Sequence, residues 1–169
     1  LDAASAGVVL SSLDTLANGD FLLVGAVHPF RGVLVDVNAT NTTDPSTLTV
    51  HYWNGAWTDI SATDGTNSGT ITFAQDGNVT WTLPSDWIQA KLSTIYTSAP
   101  NFGHRDYPMY WTRWSVSAAL DASVTLDRML ALNRNTARYN ELLEGQQLEE
   151  KVLHGEPGGI GGIEALTDA

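Results

Sequence analysis

The chain has 169 residues, 43% of them apolar, with no cysteine and a formal net charge of −11. This length and apolar content suit one domain with a proper core plus an appendage, and they exclude global disorder. The lack of cysteine excludes disulfides and thiolate metal sites. The acidic balance repels phosphate backbones, and no apolar run reaches the roughly 18 residues of a membrane span, so neither nucleic acid nor membrane is an expected partner.

Period-two patterns begin with the apolar run Phe21 to His28 and continue in Gly32 to Asn38, where Val33, Val35 and Val37 alternate with Leu34 and Asp36. Thr47 to Trp53 places Leu48, Val50 and Tyr52 on one side and Thr49, His51 and Trp53 on the other. Short β-branched stretches follow at Thr70 to Phe73 and at Asn78 to Leu83, the latter with Val79 and Trp81 facing away from Thr80 and Thr82. Pro84-Ser85-Asp86-Trp87 is read as the opening of a short helical turn running to about Leu92. Tyr110 to Ser117 alternates again, and Val124, Leu126, Leu130 and Leu132 suggest a closing strand. Asn18-Gly19, Asn54-Gly55, Asp64-Gly65 and Asp76-Gly77 punctuate the strands as tight turns tolerant of positive φ. Seven or eight strands at this spacing, with no helix of useful length between them, predict an all-β antiparallel sandwich or jelly-roll-like domain over residues 1–132.

Composition changes near residue 133. All six glutamates (Glu141, Glu144, Glu149, Glu150, Glu156 and Glu164) lie beyond it, whereas every aromatic except Tyr139 lies before it. Aspartate suits turns and glutamate suits helices, so the two parts are different materials. Residues 133–154 carry Ala137, Leu142, Leu143, Leu148, Val152 and Leu153 in a polar background. They predict a helical arm with a narrow apolar stripe, interrupted at Gly145. Residues 155–169, with Ile160 and Ile163 among glycines, predict an extended tail that is disordered or ordered by a partner. The arm cannot bury its stripe alone. Tyr139, Leu142, Leu143, Leu148, Val152, Leu153, Ile160 and Ile163 are therefore the candidate partner-binding residues.

No constellation for catalysis emerges, and the chain is read as non-enzymatic. His28, His51, His104 and His154 form no helical zinc pair, and His51 is read as an ordinary strand residue. His104-Arg105-Asp106 groups a base, a cation and a carboxylate, but with no nucleophile motif it reads as a solvated loop. Asp59, Asp64 and Asp76 are read as turn formers rather than calcium ligands, since the loop lacks EF-hand spacing; no metal or cofactor is expected. The glycine cluster at 158–162 follows a polar helix rather than a strand, so it is no phosphate loop. The six tryptophans Trp53, Trp57, Trp81, Trp87, Trp111 and Trp114 fit a core of large rings better than a sugar-binding platform. Trp111 and Trp114, at opposite parity in one strand, cannot share a face.

Several strings occur in a recognisable order: Gly19-Asp20-Phe21-Leu22-Leu23-Val24-Gly25, Pro29-Phe30-Arg31-Gly32, Tyr52-Trp53-Asn54-Gly55-Ala56-Trp57, Asp64-Gly65-Thr66, Gly77-Asn78-Val79-Thr80-Trp81, Pro84-Ser85-Asp86-Trp87 and Tyr110-Trp111-Thr112-Arg113. Over roughly residues 7–132 they resemble a β-sandwich module of virion structural proteins in tailed bacteriophages and related archaeal viruses, found in head decoration proteins and in tail or baseplate components. The resemblance implies no catalysis. It implies binding to the major capsid protein or other virion subunits, homo-oligomers such as a trimer, and assembly into the virion in the host cytoplasm. A head decoration (cement) protein is the leading expectation. A tail, neck or baseplate component is the alternative, and a carbohydrate-binding module on a host-recognition appendage is a further one.

Overall fold

A computed structural model describes residues 8–10, 13–96 and 106–132. Among these residues nine strands form two antiparallel sheets, giving an all-β sandwich. The first sheet has the order β1 (Val8–Val9), β9 (Thr125–Ala131), β3 (Gly32–Ala39), β7 (Gly77–Thr80) and β6 (Thr63–Asp64). The second has the order β2 (Leu22–Ala26), β8 (Tyr110–Val116), β4 (Leu48–Trp53) and β5 (Trp57–Asp59). The chain divides between Asn133 and Arg134, and every described residue falls in the first unit. The expected helical arm and tail, with Tyr139, Leu142, Leu143, Leu148, Val152, Leu153, Ile160 and Ile163, lie outside the described residues. No helix of the described residues is long and apolar enough to cross a membrane.

The core follows from the alternation. Val33, Val35, Val37 and Val79 point inward from the first sheet, and Val50, Tyr52, Trp114 and Val116 from the second. β-branched residues suit these positions because they fill a pleated surface at little entropic cost. A ring cluster closes one end. Trp87 packs against Phe30 (5.1 Å), Tyr110 (5.6 Å) and Tyr52 (6.0 Å), and Trp81 bridges Phe30 and Trp114. The tilted and edge-on geometries are those that aromatic quadrupoles favour.

Four expectations need correction. Thr70 to Phe73 is not a strand but a turn segment with isolated bridges from Ile71 to Ser46 and Ser68. Phe73 takes φ 55°, outside the extended region, which lets its ring reach the core while the chain turns. Pro84–Trp87 opens no helix. The one α-helical turn among the described residues, α1 (Leu92–Ile95), begins where that helix was expected to end. The Asp86 carboxylate is engaged elsewhere, accepting from Tyr52 Oη and Asn54 Nδ2, each at 2.9 Å.

In β9 the apolar phase slips. Asp36 pairs with Arg128 but Val37 pairs with Leu126, so Asp127 is an extra residue. This bulge reverses the parity beyond it: Met129 and Ala131 pack on the core, while Leu130 is 47% exposed. Finally, Gly65 and Gly77 do not supply positive φ, unlike Gly19 at 83° and Gly55 at 107°. Their backbones instead cross closely, and a Cβ on Gly77 would collide with the Gly65 carbonyl.

Candidate binding surfaces

The aspartates picked out in turns are occupied by the backbone they organise. Asp64 Oδ1 accepts from Thr66 N–H (2.9 Å) and Thr66 Oγ1 (2.6 Å), and its Oδ2 accepts from Thr72 Oγ1 (2.6 Å). Both threonines are fully buried. Asp76 accepts from Val37 N–H at 2.7 Å and Asp59 from Ser61 N–H at 2.8 Å. The Asp59 and Asp64 bonds are turn-holding roles, in accord with the turn-former reading, whereas Asp76 is bound to the distant backbone of β3. No cluster of three potential metal-ligating side chains occurs among the described residues.

A second clamp joins the β3–β4 and β8–β9 loops. Asp121 accepts from the backbone N–H and hydroxyl of both Thr42 and Thr43. Four donors hold its carboxyl far below the usual range, with the Thr43 hydroxyl contributing most. Neighbouring Asp44 is shifted upward, chiefly through its side-chain contact with Asp121. Buried Asn41 ties the loops together, donating to the Asp44 and Thr72 carbonyls and accepting from Asp121 N–H.

Of the His104-Arg105-Asp106 group, the first two lie outside the described residues. Asp106 accepts from Ser93 N–H and Ser93 Oγ beside α1, and those bonds lower its pKa. The carboxylate thus holds the first turn of α1.

The six tryptophans divide. Trp81, Trp87 and Trp114 lie in the core, and Trp111 is buried on the opposite side of the second sheet, as its parity requires. There Trp111 Nε1 donates to the Ala90 carbonyl at 2.8 Å, and its ring lies flush on Gly25, where a Cβ would sit 2.5 Å from the indole. Trp53 and Trp57, paired across the β4–β5 hairpin, are only half-buried on that same outer face.

The outer face of the second sheet therefore carries a row of rings drawn from three segments. Phe21 stacks on Tyr96 at 5.4 Å, Tyr96 lies 6.2 Å from Trp57, and Trp57 meets Trp53 edge-on at 5.3 Å. The Arg113 guanidinium lies 4.9 Å over the Trp57 ring. His51 sits in register between Asp59 on β5 and Arg113 on β8. Partial burial, then the Arg113 charge, push its pKa down, so the imidazole is neutral at pH 7. His51 Nδ1, Arg113 Nε and Tyr96 Oη are buried without a hydrogen-bond partner.

A different surface opens where the edge strands β1 and β2 of the two sheets approach. A cavity of about 170 Å³ is lined there by Val8, Leu10, Leu13, Phe21 and Leu22, with Asp20 as its charged member. The valines of β1 are uncovered, Val8 being 61% and Val9 58% exposed. Sequence reasoning missed this surface, because a two-residue strand carries no periodicity.

In comparisons with known proteins, no family model, curated protein or solved structure matches the chain.

Proposed function

We propose that the protein is a non-enzymatic virion structural subunit, a head decoration (cement) protein that binds the assembled capsid lattice. The observation that carries this reading is the uncovered apolar edge of the sandwich. Among the described residues β1 ends the first sheet, with two open valines beside a groove walled by leucines and Phe21. A free, apolar sheet edge is a liability for an isolated soluble domain, because it templates further pairing. A subunit whose edge is covered in its working state has no such liability. Strand addition or groove filling by a neighbouring protein is the recognition mode that such an edge serves.

In this reading the domain is jelly-roll-like, residues 133–154 form a helical arm and residues 155–169 an extended tail. Tyr139, Leu142, Leu143, Leu148, Val152, Leu153, Ile160 and Ile163 contact the major capsid protein or other virion subunits. The protein associates with its own copies, a trimer being the simplest ring. No cofactor takes part. The test is truncation after Asn133 together with Val9→Glu. Both variants are expected to lose occupancy on purified particles and to lower the particles' resistance to heat. Full retention of both would refute the proposal. A copy number of a dozen or fewer per particle would move the protein to a tail, neck or baseplate.

A further inference from the structure

We infer that the outer face of the second sheet is a binding site for a sugar bearing a carboxylate, built on Trp53, Trp57 and Arg113. The site is distinct from the β1–β2 edge and does not depend on the assembly reading.

Arg113 is the first reason. It lies mid-strand in β8, half-buried, in a chain of net charge −11, yet it pairs with no carboxylate among the described residues, where Arg128–Asp36 is the ion pair formed. Its Nε is buried without an acceptor, its guanidinium lies over the Trp57 ring, and the Tyr96 hydroxyl and His51 lie within reach of its charge. A guanidinium is a planar fork matched to a carboxylate, and one held in place by an indole loses less freedom on binding. At His51, which lies between the two in register, the Arg113 charge outweighs that of Asp59. At physiological ionic strength, charges beyond roughly 8 Å are largely screened.

The aromatic row is the second reason. Large rings half-open on a sheet face are costly unless something covers them, and α1 with its flanking residues covers Trp111 but leaves Trp53 and Trp57 half-exposed. An indole face accepts the apolar CH side of a sugar ring, and the edge-on Trp53–Trp57 pair offers two differently oriented indoles. Neutral His51, opposite Arg113 in register, adds a hydrogen-bonding group of no net charge suited to hydroxyls. Rings for the carbohydrate body and a fork for its acid make one recognition unit.

The test uses the full chain and three probes: a galacturonic acid tetramer, a galactose tetramer of the same length, and a glutamic acid tetramer. Binding is read by tryptophan fluorescence and by calorimetry. The galacturonate tetramer is expected to bind at least tenfold tighter than the neutral tetramer. Arg113→Gln is expected to abolish that preference, and Trp53→Ala to weaken both sugars, with the thermal midpoints of the variants near that of the parent. Equal affinity for the two sugars, no binding of galacturonate at millimolar concentration, or undiminished binding in both variants would overturn the inference. Tighter binding of the glutamate peptide would overturn it too, by pointing to an acidic polypeptide instead.

Discussion

Trp114 and Thr112 offer the sharpest test of how the core is held. Trp114 is fully buried, and its Nε1–H donates to Thr112 Oγ1 at 2.9 Å; Thr112 Oγ1 in turn donates to the Val24 carbonyl at 3.1 Å. Thr112→Val keeps the shape and removes the acceptor, orphaning a buried indole N–H. That orphan should cost about 1–3 kcal/mol. Trp114→Phe leaves the Thr112 hydroxyl bonded to Val24 but opens a void, costing about 2–3 kcal/mol. The double variant loses the shared hydrogen bond only once, so it should be less destabilised than the two singles together by about 1 kcal/mol. Urea titrations with unchanged slopes measure all four proteins of the cycle. A Thr112→Val cost below about 0.5 kcal/mol, or additivity within error, would refute the reasoning.

Gly77→Ala should destabilise by about 2 kcal/mol or more, because the added methyl group meets the Gly65 carbonyl rather than a yielding side chain; urea midpoints will check it. Trp87 Nε1 is buried and unpartnered, so Trp87→Phe should cost less in the same titration than Trp114→Phe, whose indole makes a hydrogen bond. For the loop clamp the sign differs between the two acids. Asp121 has a folded pKa below its ordinary value of 3.8, so its contribution is present above that value and is lost as pH falls through the folded pKa. Asp44 is shifted upward, so its charged form opposes folding at neutral pH and its protonation relieves that opposition. Amide exchange of residues 41–46 should therefore speed up in Asp121→Asn at pH 7 with a difference that shrinks towards pH 3, and slow slightly in Asp44→Asn at pH 7. A difference between Asp121→Asn and the parent that is undiminished at the lower pH, or faster exchange in Asp44→Asn at pH 7, would contradict it.

How much of this was legible beforehand depended on whether the signal was local. The valines of β3 and the opposite parity of Trp111 and Trp114 lie within single strands, and period two placed them correctly. β9 defeated the same reasoning through a single residue, Asp127, whose extra place reverses every face beyond it. A bulge depends on the partner strand, and nothing in the β9 sequence announces it. Thr70 to Phe73 looks β-branched, yet its Thr72 hydroxyl is bound to Asp64 and its phenylalanine enters the core from a turn, so tertiary hydrogen bonds overrode propensity. The Asp-Gly pairs were recognised as turns, but for Gly65 and Gly77 the physical demand is close backbone approach, visible only after folding. The outer aromatic row joins Phe21, Trp57, Tyr96 and Arg113 from distant segments, and only the sheet order brings them together.

If the chain is a virion subunit, as proposed, imaging of purified virus particles tests that claim most directly. The account predicts the sandwich on the outside of the head in hundreds of copies, with Val8 and Val9 covered by a neighbouring subunit. Particles that assemble without the protein anywhere in them, or a bound protein with that edge open to solvent, would contradict it.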